Sequence, residues 1–467
     1  MQIKFLKTQS SIELFLILVN AMLIGIWVLR ETIALRNILL VLGAIVSLYY
    51  LYKIGIPQLK EIIRLKKISS LPLLFIFCLF FWAITHYLFF SSDPEIQLKE
   101  LRSTWLRSFL AWIMGIVCAL VIIKEPKKLI WLGLGLISNF IGLFIEYLPL
   151  AIAQQKISNV MPVLDNYLQG KIYAVCLGLI FLGGLLGIYA TSIAQTIKIS
   201  IKGKWIYFSI ACIVLILYSY VFIIDTRNGF ALSLLIFLFW GCWAITRSVK
   251  RNCSLFTSFT KLQYVVVAIS VIILFVFTNL HTRQNSGWLT TVEDLSFAVQ
   301  IDKYPNWKNP SVFGYPELEP GKPVKGNTYE RGAWFVAGLS VVPDRLLGDG
   351  SLKHAFGRAI KEKYPESNLT TSHSAWVDFS LSLGIPGIVL LLGAYLITFV
   401  LSFNGLNPFN HFIKWLSFAI LMVYTVAELF NEAAFELVIY YIGFLAALLC
   451  AGTSKNLLYF SNNQKPV

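Results

Sequence analysis

Apolar runs of about twenty residues recur along this chain, separated by short polar breaks. Twelve of these runs are predicted as membrane-spanning helices. They lie near 11–29, 36–52, 71–90, 106–123, 129–152, 172–195, 205–224, 230–246, 262–280, 381–402, 416–431 and 433–451. In hydrocarbon each segment has to satisfy its own backbone N–H and C=O groups, which a helix does internally.

The breaks set the expected orientation. "KIGIPQLKEIIRLKKISS" (53–70), "KEPKK" (124–128), "KISIKGK" (198–204) and "RSVKRNCSLFTSFTK" (247–261) fall on one side of a twelve-span path. That side holds most of the short-loop Lys and Arg and is expected to be cytoplasmic, together with both termini. The basic start "MQIKFLKTQS" leads into an apolar run longer than a signal peptide and without a small-residue cleavage site, so it reads as a retained first span. Loops 91–105, 153–171 and 225–229 face outward, as does the segment 281–380. The chain, 1–467, is expected to be one integral membrane domain carrying that large outer segment between spans nine and ten.

The outer segment departs from a bare helical bundle. "YPNWKNPSVFGYPELEPGKPVKG" is rich in Pro and Gly and reads as loop. "YERGAWFVAGLSVV" and "LKHAFGRAIKEKY" have helical periodicity. A structureless loop of this length is uncommon, so short helices over the outer mouth of the bundle are expected.

Composition agrees with this picture. Hydrophobic residues make up 57% of the chain and charged residues 13%, with a mean hydropathy of +0.72. The net charge of +15 is scattered between apolar runs, which points to basic membrane-face loops and not to nucleic acid. Seven cysteines show no zinc or redox spacing, and the outer segment has none, so no disulfide or thiol chemistry is expected.

Charges at a membrane boundary are costly and draw attention to function. Arg227 lies in "FIIDTRNGFALSL", where residues 225–229 separate two long apolar runs. It reads either as an interfacial anchor paired with Asp225 or as a ligand-binding guanidinium. Arg331, in "NTYERGAWFVAGL", reads either as a salt-bridge partner of Glu330 or as a second binding arginine. His373, in "TSHSAWVDFSLSLGIPG", is either a hydrogen-bonded structural residue or a general base. Ser374 is placed to help position the imidazole. Glu428 and Glu432, four apart in "TVAELFNEAAFEL", share a helix face and either cap the helix or balance the basic groups. Arginine forks bind phosphate oxygens and keep their charge, and a histidine takes a proton from an attacking hydroxyl.

At these residues the sequence resembles the O-antigen ligase and polymerase superfamily. His373-Ser374, nine residues, Gly384, two residues and Gly387 match the family pattern H[NSQ]-x9-G-x-x-G. "DTRNGFALSL" resembles its arginine that follows a span, and "ERGAWFVAGLSVVPDRLLGDG" its arginine-to-glycine segment upstream of the histidine. The likeness in order and spacing covers roughly 220–440, and the N-terminal half matches as a hydropathy pattern only. The resemblance implies an all-helical, GT-C-like fold. It implies metal-independent, inverting transfer of a glycan from an undecaprenyl-diphosphate carrier at the periplasmic face of the bacterial inner membrane. Arg227 and Arg331 would hold the diphosphate and His373 would activate the acceptor, with no cofactor. Arg283, in "HTRQNSGW", is a lower-ranked alternative for the outer arginine.

Within that family a ligase acting on lipid A-core is preferred, because arginine, arginine and histidine appear in its order. A polymerase and a protein O-oligosaccharyltransferase use the same donor and remain open. Three readings of other classes compete, one of them a structural or scaffolding membrane protein. "SSDPEIQ" gives Asp93 and Glu95 D-x-E spacing, which a metal-dependent transferase would use for a divalent cation, or a solvated turn at Pro94 explains it. A twelve-span transporter would use polar groups near the midplane, such as His86, Asn139 and Glu146.

Overall fold

The computed structural model describes residues 2–55, 68–158, 167–194, 203–250, 261–404, 407–424 and 432–451. Among these residues the architecture is all-α apart from one small hairpin. The helices of the first half are α1 (Gln2–Ile26), α2 (Ile33–Tyr50), α3 (Leu71–Phe89), α4 (Pro94–Glu100), α5 (Leu106–Lys124), α6 (Leu129–Gln154), α7 (Lys171–Ala194) and α8 (Gly203–Tyr218). Then come α9 (Arg227–Lys250), α10 (Lys261–Gln284), α11 (Gly287–Ala298), α12 (Pro310–Phe313), α13 (Gly326–Val341) and α14 (Ala355–Lys363). The chain ends in α15 (Ala375–Leu401), α16 (Asn410–Tyr424) and α17 (Glu432–Ala451).

Among the described residues, eight helical stretches are long and apolar enough to cross a membrane, and Ser10–Ile26 and Phe435–Cys450 are shorter apolar helices. The predicted runs at 262–280 and 416–431 fall on α10 and α16, the second extending past Tyr424 beyond the described residues. Large side chains such as Phe77, Phe81 and Leu88 on α3 and Leu238 on α9 face outward. An apolar exterior this extensive suits lipid and not water.

Inside, small residues let helices approach. A Cβ on Gly115 of α5 would lie 2.2 Å from the Tyr440 carbonyl oxygen of α17, and one on Gly135 of α6 would lie 2.3 Å from that of Ala21 on α1. Close backbone contact of this kind is how helices gain packing energy where lipid removes the usual hydrophobic drive. At one end of the bundle Glu13 gathers Lys124 Nζ at 3.0 Å, Lys128 Nζ at 3.6 Å and the Tyr50 hydroxyl at 3.0 Å. These four residues belong to the end that the charge pattern assigns to one face.

The segment between α10 and α15 has its own small core of Trp307, Tyr329, Trp334, Phe356 and Ile360. Val377 and Leu381 of α15 join it. The expected helices are present as α13 and α14. The Pro/Gly-rich stretch is mostly loop but also holds a hairpin, β1 (Glu317–Glu319) paired antiparallel with β2 (Lys322–Pro323). Pro320 and Gly321 make its turn, with Gly321 at φ 78°.

Span ten departs from expectation. α15 starts at Ala375, six residues before the predicted limit, and its backbone breaks at Gly384 (φ 68°, ψ −170°). Pro386 has no N–H for the Ser382 carbonyl four residues earlier. The Gly350 N–H takes that carbonyl at 2.7 Å, Asp349 N–H takes Leu381 O at 2.8 Å, and Trp82 Nε1 takes Leu383 O at 2.9 Å. In return Ile385 N–H donates to Leu346 O at 2.8 Å. A Cβ at Gly384 would fall 2.3 Å from Leu346 O. Gly384 and Gly387 of the family pattern suggest a close approach between helices. The role of Gly384 is instead to break the helix against the backbone of 346–350. A Cβ at Gly387 would meet the Leu383 side chain of its own helix at 2.4 Å.

Candidate functional site

His373 sits on the turn that feeds α15, at φ 54°. That left-handed backbone is uncommon for a residue with a Cβ, although His tolerates it better than most. The turn is held from below by Asp378, one turn into the helix. The Asp378 carboxylate accepts from Ser372 Oγ at 2.6 Å, Ser372 N–H at 3.1 Å and Thr371 Oγ1 at 3.3 Å. Thr371 Oγ1 accepts the His373 N–H at 3.1 Å, and Ser372 Oγ accepts the Ser374 N–H at 3.1 Å. Ser374 is thus a buried cap residue whose backbone, not its hydroxyl, is what the turn uses. Asp378 escaped the sequence reading. Its signal was an acidic residue in the first turn after a Ser-rich entry, a relative of the capping box.

The imidazole of His373 stacks on the indole of Trp334, with centroids 5.2 Å apart and planes 22° apart. Trp334 is fixed in turn, since its Nε1 donates to Trp307 O at 3.1 Å. Trp334 belongs to α13, three residues after Arg331 and six after Thr328.

Arg227 reaches the same helix. The chain leaves α8 through a wide turn at Ser219–Ile223, passes Asp225 at φ 48°, and starts α9 at Arg227 with Thr226 Oγ1 accepting the Gly229 N–H. The Arg227 guanidinium donates to Gly287 O at 2.7 Å, Thr291 Oγ1 at 3.3 Å and Thr328 Oγ1 at 2.9 Å. The pairing of Arg227 with Asp225 expected under the anchor reading does not occur. Asp225 accepts from His281 Nε2 at 3.3 Å and Asn285 Nδ2 at 2.9 Å. The His281 hydrogen bond holds the Asp225 carboxyl below the usual carboxylate range. A cation in the first turn of α9 also works against the helix dipole, so the helix itself gains nothing from Arg227 there.

α13 therefore carries an i, i+3, i+6 row: Thr328 bonded to Arg227, then Arg331, then Trp334 stacked on His373. At 1.5 Å of rise per residue the row spans about 9 Å along the helix. The structure thus brings Arg227, Arg331 and His373 to one helix. Glu330 accepts from the Tyr315 hydroxyl at 2.7 Å. Arg283 is exposed at the end of α10. Glu432 is the first residue of α17, and Glu428 lies outside the described residues.

The acidic residue that sequence reading missed in this stretch is Glu436. It is fully buried, pairs with Arg107 Nε at 2.5 Å and accepts from Trp27 Nε1 at 3.2 Å. The preceding Phe435 meets Phe379 of α15 in a tilted ring contact, centroids 6.0 Å apart, which ties this ion pair to the helix that follows His373. Glu100 was also missed. Buried at the end of α4, it accepts from Ser351 Oγ, Leu352 N–H and Lys353 N–H, and so clamps the loop that fills the break in α15.

The residues behind the rival readings have other partners. Asp93 caps α4 through the Ile96 N–H and binds Arg358 Nη1 at 3.2 Å, while Glu95 is exposed. Both Asp93 partners are hydrogen-bond donors, not a cation's other ligands. No cluster of three or more His, Cys, Asp or Glu suited to a metal occurs among the described residues. His86 contacts Gln97 Oε1 at 3.4 Å, Asn139 bonds carbonyls of its own helix, and Glu146 is exposed. These three do not converge.

No family model and no curated protein matches the sequence.

Proposed function

We propose that the protein is a membrane glycan transferase of the O-antigen ligase type. It moves a glycan from undecaprenyl diphosphate to a hydroxyl of lipid A-core, without metal and with inversion. The observation that carries this reading is α13, which bonds Arg227 through Thr328, carries Arg331 itself and stacks Trp334 on His373. Arginines that keep their charge and a histidine that takes protons suit a reaction with a diphosphate leaving group.

In this reading all twelve predicted runs span the inner membrane of a bacterium, both termini are cytoplasmic, the fold is GT-C-like, and α13 lies on the periplasmic side. Arg227 and Arg331 hold the diphosphate. The acceptor oxygen attacks the anomeric carbon as the bond from that carbon to the diphosphate oxygen breaks. The hydroxyl proton passes to His373, and undecaprenyl diphosphate leaves with its new negative charge against the two guanidinium groups. The Trp334 indole stacked on the ring holds its orientation.

The test is transfer with purified protein, undecaprenyl-diphosphate-linked glycan and lipid A-core. A glycan-bearing lipid A product seen only with that acceptor supports a ligase. Longer glycans on the carrier would make it a polymerase, glycan on a protein acceptor an O-oligosaccharyltransferase, and no transfer to any of the three would overturn the reading.

A further inference from the structure

α11 is built inside out. Its most buried positions are Gly287, Thr291, Asp294 and Ala298, with Trp288 and Phe297 partly buried at either end against the apolar cores. Thr291 lies beside Arg227, and fully buried Asp294 accepts from Thr290 Oγ1 at 2.9 Å and the Lys325 N–H at 2.9 Å. The outward face carries Leu289, Val292 and Val299, the first two 84% and 80% exposed, and at its edge Leu295, which also lies close to Gly332 of α13. A helix packed on a water-soluble domain shows the reverse arrangement, with its apolar stripe on the core. The stripe also continues an apolar exterior. α10, which ends three residues earlier, exposes Ile272, Phe275, Val276 and Leu280. Exposed Glu293 and Gln300 border the stripe on one side, as polar residues border the buried face of a helix lying at a lipid surface.

We infer that α11 lies in the membrane interface, with Leu289, Val292, Leu295 and Val299 dipping into the lipid leaflet that surrounds the end of α10. The occupant of this face is the bilayer. Arg227 donates to Gly287 O and Thr291 Oγ1 on the opposite side of the same helix, so the depth of α11 sets the depth of the guanidinium at the headgroup layer. This placement holds whatever reaction the site performs.

The test is a depth measurement on the full chain in lipid nanodiscs, after replacing the native cysteines by Ser. Single cysteines replacing Leu289, Val292 and Val299, and as polar references Glu293 and Asp302, are labelled with an environment-sensitive fluorophore. Headgroup-linked and acyl-chain-linked nitroxide lipids are the quenchers, and a soluble nickel chelate probes water. The three apolar positions are expected to show blue-shifted emission, at least three-fold stronger quenching by lipid nitroxide than Asp302, and protection from the chelate. Equal access of the chelate to all five positions would overturn the inference. Protection from both lipid and chelate would also overturn it, because a second copy or another protein would then cover the face. A variant that misfolds is recognised by loss of its monodisperse elution, and Val292→Ser labelled at Leu289 then serves as the milder replacement.

Discussion

His373 and Trp334 form a stacked pair that joins the turn before α15 to α13, the helix to which Arg227 is bonded. The imidazole thus takes its orientation from an indole that is itself pinned to Trp307 O. Removing the indole is expected to free the ring to rotate away from the acceptor. Trp334→Ala should lower turnover by about 10²-fold, the lower range of what a positioned general base contributes. Trp334→Phe keeps an aromatic face and should retain most of the rate. Because truncating a buried Trp also costs about 3–5 kcal/mol of stability, turnover is compared with the melting temperature of each variant. Equal loss of activity in both variants at unchanged stability would count against an orienting role.

His373 occupies left-handed backbone, which separates its chemical role from its structural one. His373→Ala should abolish transfer while sparing donor binding. It should also cost stability, since Ala lacks the stacked ring and keeps the Cβ that such a φ disfavours by about 1–2 kcal/mol. His373→Gly relieves that backbone strain. It should be equally inactive yet melt at a higher temperature than His373→Ala. The melting temperatures and donor affinities of the two variants check this directly. Near-normal turnover in either would remove His373 from the reaction.

The hydropathy pattern predicted the long apolar helices of the described chain, because a span's length and polarity are local properties, but it read α4 as loop and began α15 six residues late. The candidate residues Arg227, Arg331 and His373 stood out for a local reason too: they are ionisable groups next to long apolar runs. What joins them was not legible. Thr328 and Trp334 bond or stack across more than a hundred and about forty residues of sequence respectively, which no local pattern encodes. Gly384 was visible as a glycine, but its reason is a carbonyl of Leu346 supplied by a distant loop. Glu436 was one of three acidic residues in a short stretch, and only tertiary packing shows that it is the one paired with Arg107.

Arg227 makes three hydrogen bonds with a planar fork, and its charge alone does not reproduce them. Arg227→Lys keeps the charge but loses the fork that Gly287 O, Thr291 and Thr328 hold in place, and should weaken donor binding about ten-fold, the equivalent of one hydrogen bond of about 1.5 kcal/mol from the fork to the diphosphate. Thr328→Val removes one bond with little change of shape and should give a smaller loss of donor affinity. Titration of each variant with a lipid-linked diphosphate measures both. Wild-type affinity in Arg227→Lys would show that the fork geometry is unimportant.

Asp225 provides a pH signature next to the same arginine. Its carboxyl is held below its ordinary range by the His281 hydrogen bond, with Asn285 adding a second. A carboxyl with a lowered folded value contributes stability that is fully present above the unfolded value of about 3.9. That contribution is lost as pH falls through the lower folded value. Melting temperature in detergent should therefore fall through that acidic window more steeply in the wild type than in Asp225→Asn, which cannot titrate there. At neutral pH the order reverses, with Asp225→Asn the less stable because a neutral amide accepts more weakly from His281 and Asn285. Parallel acid limbs for the two proteins would mean that Asp225 is not coupled to folding in this way.

The break in α15 makes the last prediction. Gly384→Ala would place a Cβ 2.3 Å from Leu346 O at a φ of 68°, where no side-chain rotation relieves the contact because the clash is with backbone. The cost is at least the roughly 1–3 kcal/mol of a strained residue. It should fall on the 346–350 loop, whose N–H groups satisfy the carbonyls freed by the break. Gly387→Ala meets only the side chain of Leu383 and should be milder. Hydrogen exchange separates the outcomes: the Asp349 and Gly350 amides should lose protection in Gly384→Ala and keep it in Gly387→Ala. Retained protection at both amides in Gly384→Ala would show that α15 heals the break without this loop.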